Sequence, residues 1–171
     1  MSDGLARPRL LAASDNLDSF DCGTLALNSF LQRHAIQNQQ SGTTRTYVAA
    51  RDNRVVAYYS LAPASIAPLD APDRLLKGQG RYDVPVILLA RLAVDGPEQG
   101  NGLGKHMLRD ALLRAAQGAG IIGGRALMVH AKNESAESFY LRFGFQPSPT
   151  DRLHLWLLMK DLRKVLGTRH R

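Results

Sequence analysis

The sequence predicts an α/β domain with a mixed sheet, and three observations predict it. Apolar residues alternate or run together on either side of Asp52-Asn53, an almost unbroken apolar run spans Val84 to Asp95, and Leu103, Met107, Ala111, Leu112 and Ala115 then recur at helical spacing. Strand and helix signals interleaved in this way suit layers of both kinds around one core. With 171 residues, 44% of them hydrophobic, the chain is the size of one ordinary domain, so residues 1–171 are expected to form a single domain. No internal repeat argues otherwise.

Taken in order, the elements begin with a short strand near Arg9 to Ala13 and a helix from about Leu25 to Gln40. In that helix Leu27, Phe30, Leu31 and Ala35 make one apolar stripe, and Thr24 is placed to cap it. Arg45 to Arg51 and Arg54 to Leu61 form an antiparallel pair, because Asp52-Asn53 tolerates the positive dihedrals of a tight hairpin. Pro63 to Asp83, broken by Pro63, Pro68, Pro72, Gly78 and Gly80, reads as a loop-like insertion. Val84 to Asp95 is apolar enough for a strand covered on both faces. The helix after it should stop at Gly118 and Gly120. Arg125 to Ala131 gives another strand, Ser135 to Phe143 a short helix stopped by Gly144, and Leu153 to Lys160 a last strand.

Charge and composition narrow the function classes. Twenty-two Lys and Arg against fifteen Asp and Glu leave a net charge of +7, which favours polyanionic partners through long-range attraction. Part of that excess could equally neutralise a phosphorylated cofactor, and part sits in a basic tail at about 163–171, which is expected to be flexible. No stretch approaches the roughly 20 continuous apolar residues of a membrane span, and residues 1–20 carry acids where a secretory signal would be apolar. The lone Cys22 allows no internal disulfide and reads as a small packing residue. The expectation is a soluble cytoplasmic protein with no metal.

The strongest local signal is Leu92-Ala93-Val94-Asp95 followed, after Gly96-Pro97-Glu98, by Gln99-Gly100-Asn101-Gly102-Leu103-Gly104-Lys105. Alternate glycines let successive N–H groups face one point, and the following helix adds its positive end, so a pyrophosphate fits there. A flexible strand-to-helix turn would also account for the glycines. Known nucleotide loops do not: a dinucleotide fingerprint needs glycine where Lys105 stands, and a Walker A loop needs glycine at Gln99 and a hydroxyl at His106. A literal G-x-G-x-x-G at Gly118 to Gly123 follows a helix and precedes a strand, the reverse of the required context.

The second signal is Asn133-Glu134-Ser135-Ala136-Glu137-Ser138-Phe139-Tyr140-Leu141-Arg142-Phe143-Gly144-Phe145. Together the two segments resemble the GNAT superfamily of N-acetyltransferases, whose Gln/Arg-x-x-Gly-x-Gly/Ala loop binds the pyrophosphate of coenzyme A. Gln99, Gly102 and Gly104 match the loop, and Asn133 and Tyr140 match the residues of the following helix that attend the thiol. The resemblance implies a mixed, mostly antiparallel central sheet with flanking helices and a splayed parallel strand pair. It implies acetyl-CoA as cosubstrate, pantetheine bonded to the backbone around Leu92, Ala93 and Val94, and backbone N–H groups there stabilising a tetrahedral oxyanion. Gly100, Asn101, Leu103 and Lys105 complete the implied pyrophosphate site. Tyr140 would be the catalytic acid. Read from the residues alone, Asn133 is as good a helix N-cap, and Tyr140 shares the apolar stripe of Ala136, Phe139 and Phe143.

Direct attack of a neutral amine on a thioester needs a proton donor for the thiolate and an acceptor for the amine proton. On the resemblance, Tyr140 would supply the first. Neither motif holds a dedicated base: Glu134 and Glu137 suit the start of a helix, and His106 belongs to the helix beyond the loop. An α-amine near pKa ~8 eases the difficulty, and an adjacent ester lowers it further, whereas a lysine amine near ~10.4 would need help.

A finer resemblance covers nearly the whole chain. Phe20-Asp21-Cys22-Gly23, Leu27-Asn28 with Phe30-Leu31, Thr44 to Val48, Val56 to Leu61 and Arg91 to Asp95 look like the TacT and AtaT type of toxin from type II toxin-antitoxin pairs. This implies acetylation of the α-amino group of aminoacyl-tRNA, which blocks translation, and neutralisation by a ribbon-helix-helix antitoxin. It also implies operator DNA reached only through the antitoxin complex, and a homodimer. Arg33, Arg45, Arg81 and Arg91 are the candidate RNA contacts, each of which could be a solvated surface charge. A protein N-terminus or a small amine is the alternative acceptor, and a noncatalytic CoA- or RNA-binding module the alternative of another class.

Overall fold

The computed structural model describes residues 5–167. Strands β1 (Arg9–Leu10), β2 (Arg45–Arg51), β3 (Arg54–Ile66), β4 (Val84–Val94), β5 (Ala126–His130), β6 (Gln146–Pro147) and β7 (His154–Leu158) form one sheet in the order β1-β2-β3-β4-β5-β7-β6. The β4–β5 pair is parallel, while β1–β2, β2–β3, β5–β7 and β6–β7 are antiparallel. The expected mixed, mostly antiparallel sheet is therefore present. The helices are α1 (Leu25–Ser29), α2 (Ala35–Gln40), α3 (Asp73–Leu76), α4 (Leu103–Ile122), α5 (Glu134–Leu141) and α6 (Met159–Gly167), with a π segment Phe30–His34 joining α1 to α2. Two compact units divide the chain, one drawn from Met1–Ala62 and Ala90–Ala111, the other from Pro63–Leu89 and Leu112–Arg171.

In the first unit, Asp52 and Asn53 take φ of 49° and 73°, the left-handed pair a two-residue hairpin requires, and β2 and β3 pair from Arg51–Arg54 to Arg45–Leu61. The core gathers Leu11, Phe20, Phe30, Leu31, Ala35, Val48, Val55, Tyr58 and Ala93. Tyr58 is fully buried between Phe20 and Phe30, and its hydroxyl donates to the Leu27 carbonyl at 2.8 Å. The single helix expected over Leu25 to Gln40 is interrupted by the π segment, in which Ala35 N–H bonds back to the Phe30 carbonyl. Thr24 is extended as a cap residue should be, but makes no side-chain capping bond; its carbonyl accepts the N–H groups of Leu27 and Asn28 instead.

In the second unit, Val84, Val86, Ala126, Met128, Trp156 and Leu158 pack together with Ala71 and Leu75. The interval from Pro63 to Asp83 is thus not a plain loop: β3 runs on to Ile66, a 3-10 turn covers Pro68–Asp70, and α3 buries Leu75 completely. Burying one leucine contributes roughly 2 kcal/mol, enough to fix a single helical turn that would not persist alone. Helix α4 passes Gly118 and Gly120 and continues to Ile122; the stop is made by Gly123 and Gly124, with φ of 96° and 141°. A glycine inside a helix costs only about 1 kcal/mol, and Gly118 sits against Ile87, where a Cβ would stand 3.8 Å from its Cδ1. The last strand is shorter than Leu153 to Lys160, because α6 begins directly at Met159. Of the basic tail expected at 163–171, Arg163 to Gly167 lie in α6 and residues 168–171 fall outside the described residues.

Candidate active site

The glycine-rich loop lies in the first unit. After β4, a 3-10 turn at Gly96–Glu98 leads to Gln99, and Gly100 and Gly102 each take φ of 83°. Space beside Gly102 is open: a Cβ there would meet nothing within 4 Å. Asn101 and Lys105 are exposed, Leu103 is buried, and Gly104 packs 3.7 Å from a Val94 methyl. His106 N–H donates to the Gly102 carbonyl, on the residue just before α4, at 3.1 Å. The N–H groups just before it are the orphan donors of a helix start.

A buried carboxylate holds this loop from behind. Asp95, 2% exposed, accepts the Asp21 N–H at 2.8 Å and pairs with Arg54 at 3.3 Å. The Asp21 carbonyl in turn accepts the Gly96 N–H at 2.8 Å. Gln99 donates its amide to the carbonyls of Cys22 and Val94 at 3.0 and 2.8 Å. Asn28 closes the turn by accepting the Cys22 N–H and donating to the Asp21 carboxylate, both at 2.9 Å. The Asn28 amide, and then the Gly23 N–H, hold the Asp21 carboxyl below its usual value. Arg51 likewise holds Glu98 below its usual value through bonds of 2.8 and 3.1 Å. The Phe20 to Gly23 and Asn28 segment noted in the sequence is thus the mount of the loop.

On β4, Ala93 is buried while Leu92 and Val94 are half-buried. Arg91 lays its guanidinium over the Phe30 ring at 3.7 Å, at the start of the π segment. Arg33 and Arg45 are exposed in the same unit, and Arg81 is exposed in the second.

Asn133 and Tyr140 belong to the second unit. Asn133 caps α5, its side-chain oxygen accepting the Ala136 N–H at 2.9 Å, so the capping role holds. Tyr140 is 6% exposed and wedged edge-on between Phe139 and Phe145, with ring centroids 5.2 and 5.5 Å away. Burial pushes its hydroxyl well above the usual tyrosine value. The ring therefore packs, as the apolar stripe suggested, and the hydroxyl keeps its proton at neutral pH. Parallel pairing of β4 with β5 runs from Ile87–Leu127 to Leu89–Val129, while β4 itself goes on to Val94.

Sequence reasoning passed over His130. It ends β5 three residues before Asn133, outside both motifs, and stacks on His154 with centroids 4.0 Å apart. The signal was the pleat: Ala126 and Met128 face the core of this unit, and His130 continues that face by one step. Among the described residues no group of histidines, cysteines and carboxylates is arranged to hold a metal ion.

The acetyltransferase (GNAT) domain family matches residues 42–147. A tRNA-acetylating toxin of Mycobacterium tuberculosis (strain ATCC 25618 / H37Rv) is 48% identical over 164 residues, covering 96% of this chain and 98% of the relative. Among solved structures, AtaT complexed with acetyl-methionyl-tRNAfMet superposes with a TM-score of 0.87 at 28% identity, over 95% of this chain and 99% of that one. A mutant AtaT toxin bound to the C-terminus of the antitoxin AtaR and acetyl-CoA gives a TM-score of 0.82 at 27% identity, over 96% and 99%.

Proposed function

This chain belongs to the GNAT acetyltransferase family, and we propose that it is a toxin which uses acetyl-CoA to acetylate the α-amino group of aminoacyl-tRNA and so blocks translation. The observation that carries this reading is its likeness, along almost the whole chain, to a tRNA-acetylating toxin. Acetyl-CoA brings an acetyl group already activated as a thioester. The loop fits its pyrophosphate: Gly100 and Gly102 sit at positive φ beside open space, and they lead into α4, whose start adds the N–H groups and positive dipole end of a helix N-terminus. We assign the phosphates to the backbone of Gly100, Asn101, Gly102, Leu103 and Gly104 with the charge of Lys105, and the pantetheine arm to the backbone of Leu92 to Val94. Gln99 serves by bracing the loop, since its side chain is committed to the Cys22 and Val94 carbonyls. Asn133 orients the start of α5, and Tyr140, protonated at neutral pH, donates to the departing thiolate.

Arg33, Arg45, Arg81 and Arg91 are assigned to RNA phosphates, in keeping with a net charge of +7. A ribbon-helix-helix antitoxin neutralises the toxin, operator DNA is reached only through that complex, and the chain works as a homodimer in the cytoplasm. No helix among the described residues is long and apolar enough to cross a membrane. In a cell-free translation mixture the protein should halt synthesis only when acetyl-CoA is present. An equal block without acetyl-CoA would replace the enzyme with a binding inhibitor.

A further inference from the structure

In the chemistry above, Tyr140 gives a proton to sulfur, while the proton leaving the amine has no receiver in either motif. The second unit contains a cavity of about 400 Å³ whose lining includes Asp70, Met128, His130, Thr150, Asp151 and His154. His130 reaches it from the end of β5, the strand that leads directly into α5. Directly across the antiparallel register stands His154, its ring 20° from parallel. His154 Nε2 lies 3.4 Å from the Asp151 carboxylate, and both side chains are solvent-accessible. Asp70 enters from the Pro68–Asp70 turn, where its carboxylate accepts the Thr150 hydroxyl at 3.3 Å. Two carboxylates and an imidazole pair around a cavity this size suit an ammonium group and its proton better than a phosphate.

We propose that this cavity receives the aminoacyl amine of the acceptor and that His130 is the base which takes its proton, with His154 and Asp151 passing that proton to solvent. The proposal rests on the acetyltransferase reading. The amine lone pair forms the new N–C bond to the acetyl carbon as the C–S bond breaks; the nitrogen's proton goes to the His130 imidazole, and sulfur takes a proton from Tyr140. One proton is lost by nitrogen and one gained by sulfur, so water restores both side chains and no other reactant is needed. Burial first, and then the neighbouring His154, hold the imidazole below the usual histidine value, while Asp151 opposes them. His130 is therefore neutral, and able to accept, at neutral pH.

The test is a pH profile of kcat with aminoacyl-tRNA, measured for the wild type, His130→Gln and His154→Gln, with calorimetric acetyl-CoA binding as the check on folding. His130→Gln should lower kcat by about 10²- to 10⁴-fold and lose the acidic limb set by the imidazole, with acetyl-CoA affinity unchanged. His154→Gln removes a like-charged neighbour, so the same limb should move to higher pH. Added imidazole should restore part of the activity of His130→Ala. Wild-type kcat with an unaltered profile in His130→Gln overturns the base assignment, and so does an unmoved limb in His154→Gln should His130→Gln fail to bind acetyl-CoA. A wild type that acetylates no aminoacyl-tRNA overturns the toxin reading instead, an outcome distinct from either.

Discussion

Tyr140 combines a packed ring with a hydroxyl that stays protonated, and the two roles separate in Tyr140→Phe. The ring contacts to Phe139 and Phe145 persist in the mutant, so its thermal midpoint and acetyl-CoA affinity should match the wild type. Turnover should fall by about 10²- to 10⁴-fold if the hydroxyl is the acid. Steady-state kinetics beside calorimetry decide it, and wild-type kcat would leave Tyr140 with packing alone. Gly102 gives a second residue-scale prediction. Gly102→Ala imposes only the cost of a Cβ at φ 83°, roughly 1–2 kcal/mol, because the space beside it is open. Gly102→Asp adds a negative charge where the pyrophosphate is assigned and should abolish acetyl-CoA binding, so equal affinities in the two variants would move the phosphates elsewhere. In the sequence Gly102 is marked by the alternating glycines of its own loop, whereas Tyr140 is marked as an acid only by the resemblance, its periodicity alone reading as packing. The work of the Gln99 side chain was not, since its partners Cys22 and Val94 lie apart in the chain and only the fold joins them.

The β2–β3 hairpin and the stop after α5 follow a local rule and were read correctly, whereas the π segment, α3 and the end of α4 are fixed by distant partners and were not. Asp52-Asn53 makes its hairpin and Gly144, with φ of 95°, follows α5 as the stop, because each depends on its own backbone. The π segment, α3 and the length of α4 depend on what they pack against. Leu75 in α3 is set by the Trp156 and Leu158 cluster, and Gly118 is kept helical beside Ile87. At this scale the mount of the loop is titratable. Arg51 depresses Glu98 and Asn28 depresses Asp21, so each folded-state pKa lies below its unfolded value. Their stabilisation is fully present above the unfolded carboxylate value, near ~4, and is lost as pH falls through the depressed values. The thermal midpoint of Glu98→Gln should therefore sit below the wild type at neutral pH, and the gap should close as pH is lowered past ~4. A constant gap across that range would show that the ion pair contributes nothing to the mount.

For the whole molecule, fold class and cofactor class were legible because strand and helix periods, the glycine loop and the α5 segment each carry a pattern in sequence. The acceptor was legible only by resemblance, since surface arginines have no pattern that separates an RNA contact from a solvated charge. Arg91 illustrates the ambiguity, since its guanidinium lies over the Phe30 ring. If RNA phosphates supply binding energy, tRNA affinity should fall steeply with salt, the logarithmic slope flattening by about 0.7–0.9 for each phosphate contact removed. Arg45→Glu should flatten it and leave acetyl-CoA binding unchanged; an identical slope would remove Arg45 from the RNA surface.

The most direct measurement follows labelled acetyl from acetyl-CoA into total charged tRNA, into the same tRNA stripped of its amino acids, and into a protein N-terminus. Label is expected on the α-amine of the esterified amino acid, with none on stripped tRNA and none on the protein. Equal labelling of stripped tRNA, or label on the protein N-terminus and none on charged tRNA, would contradict it.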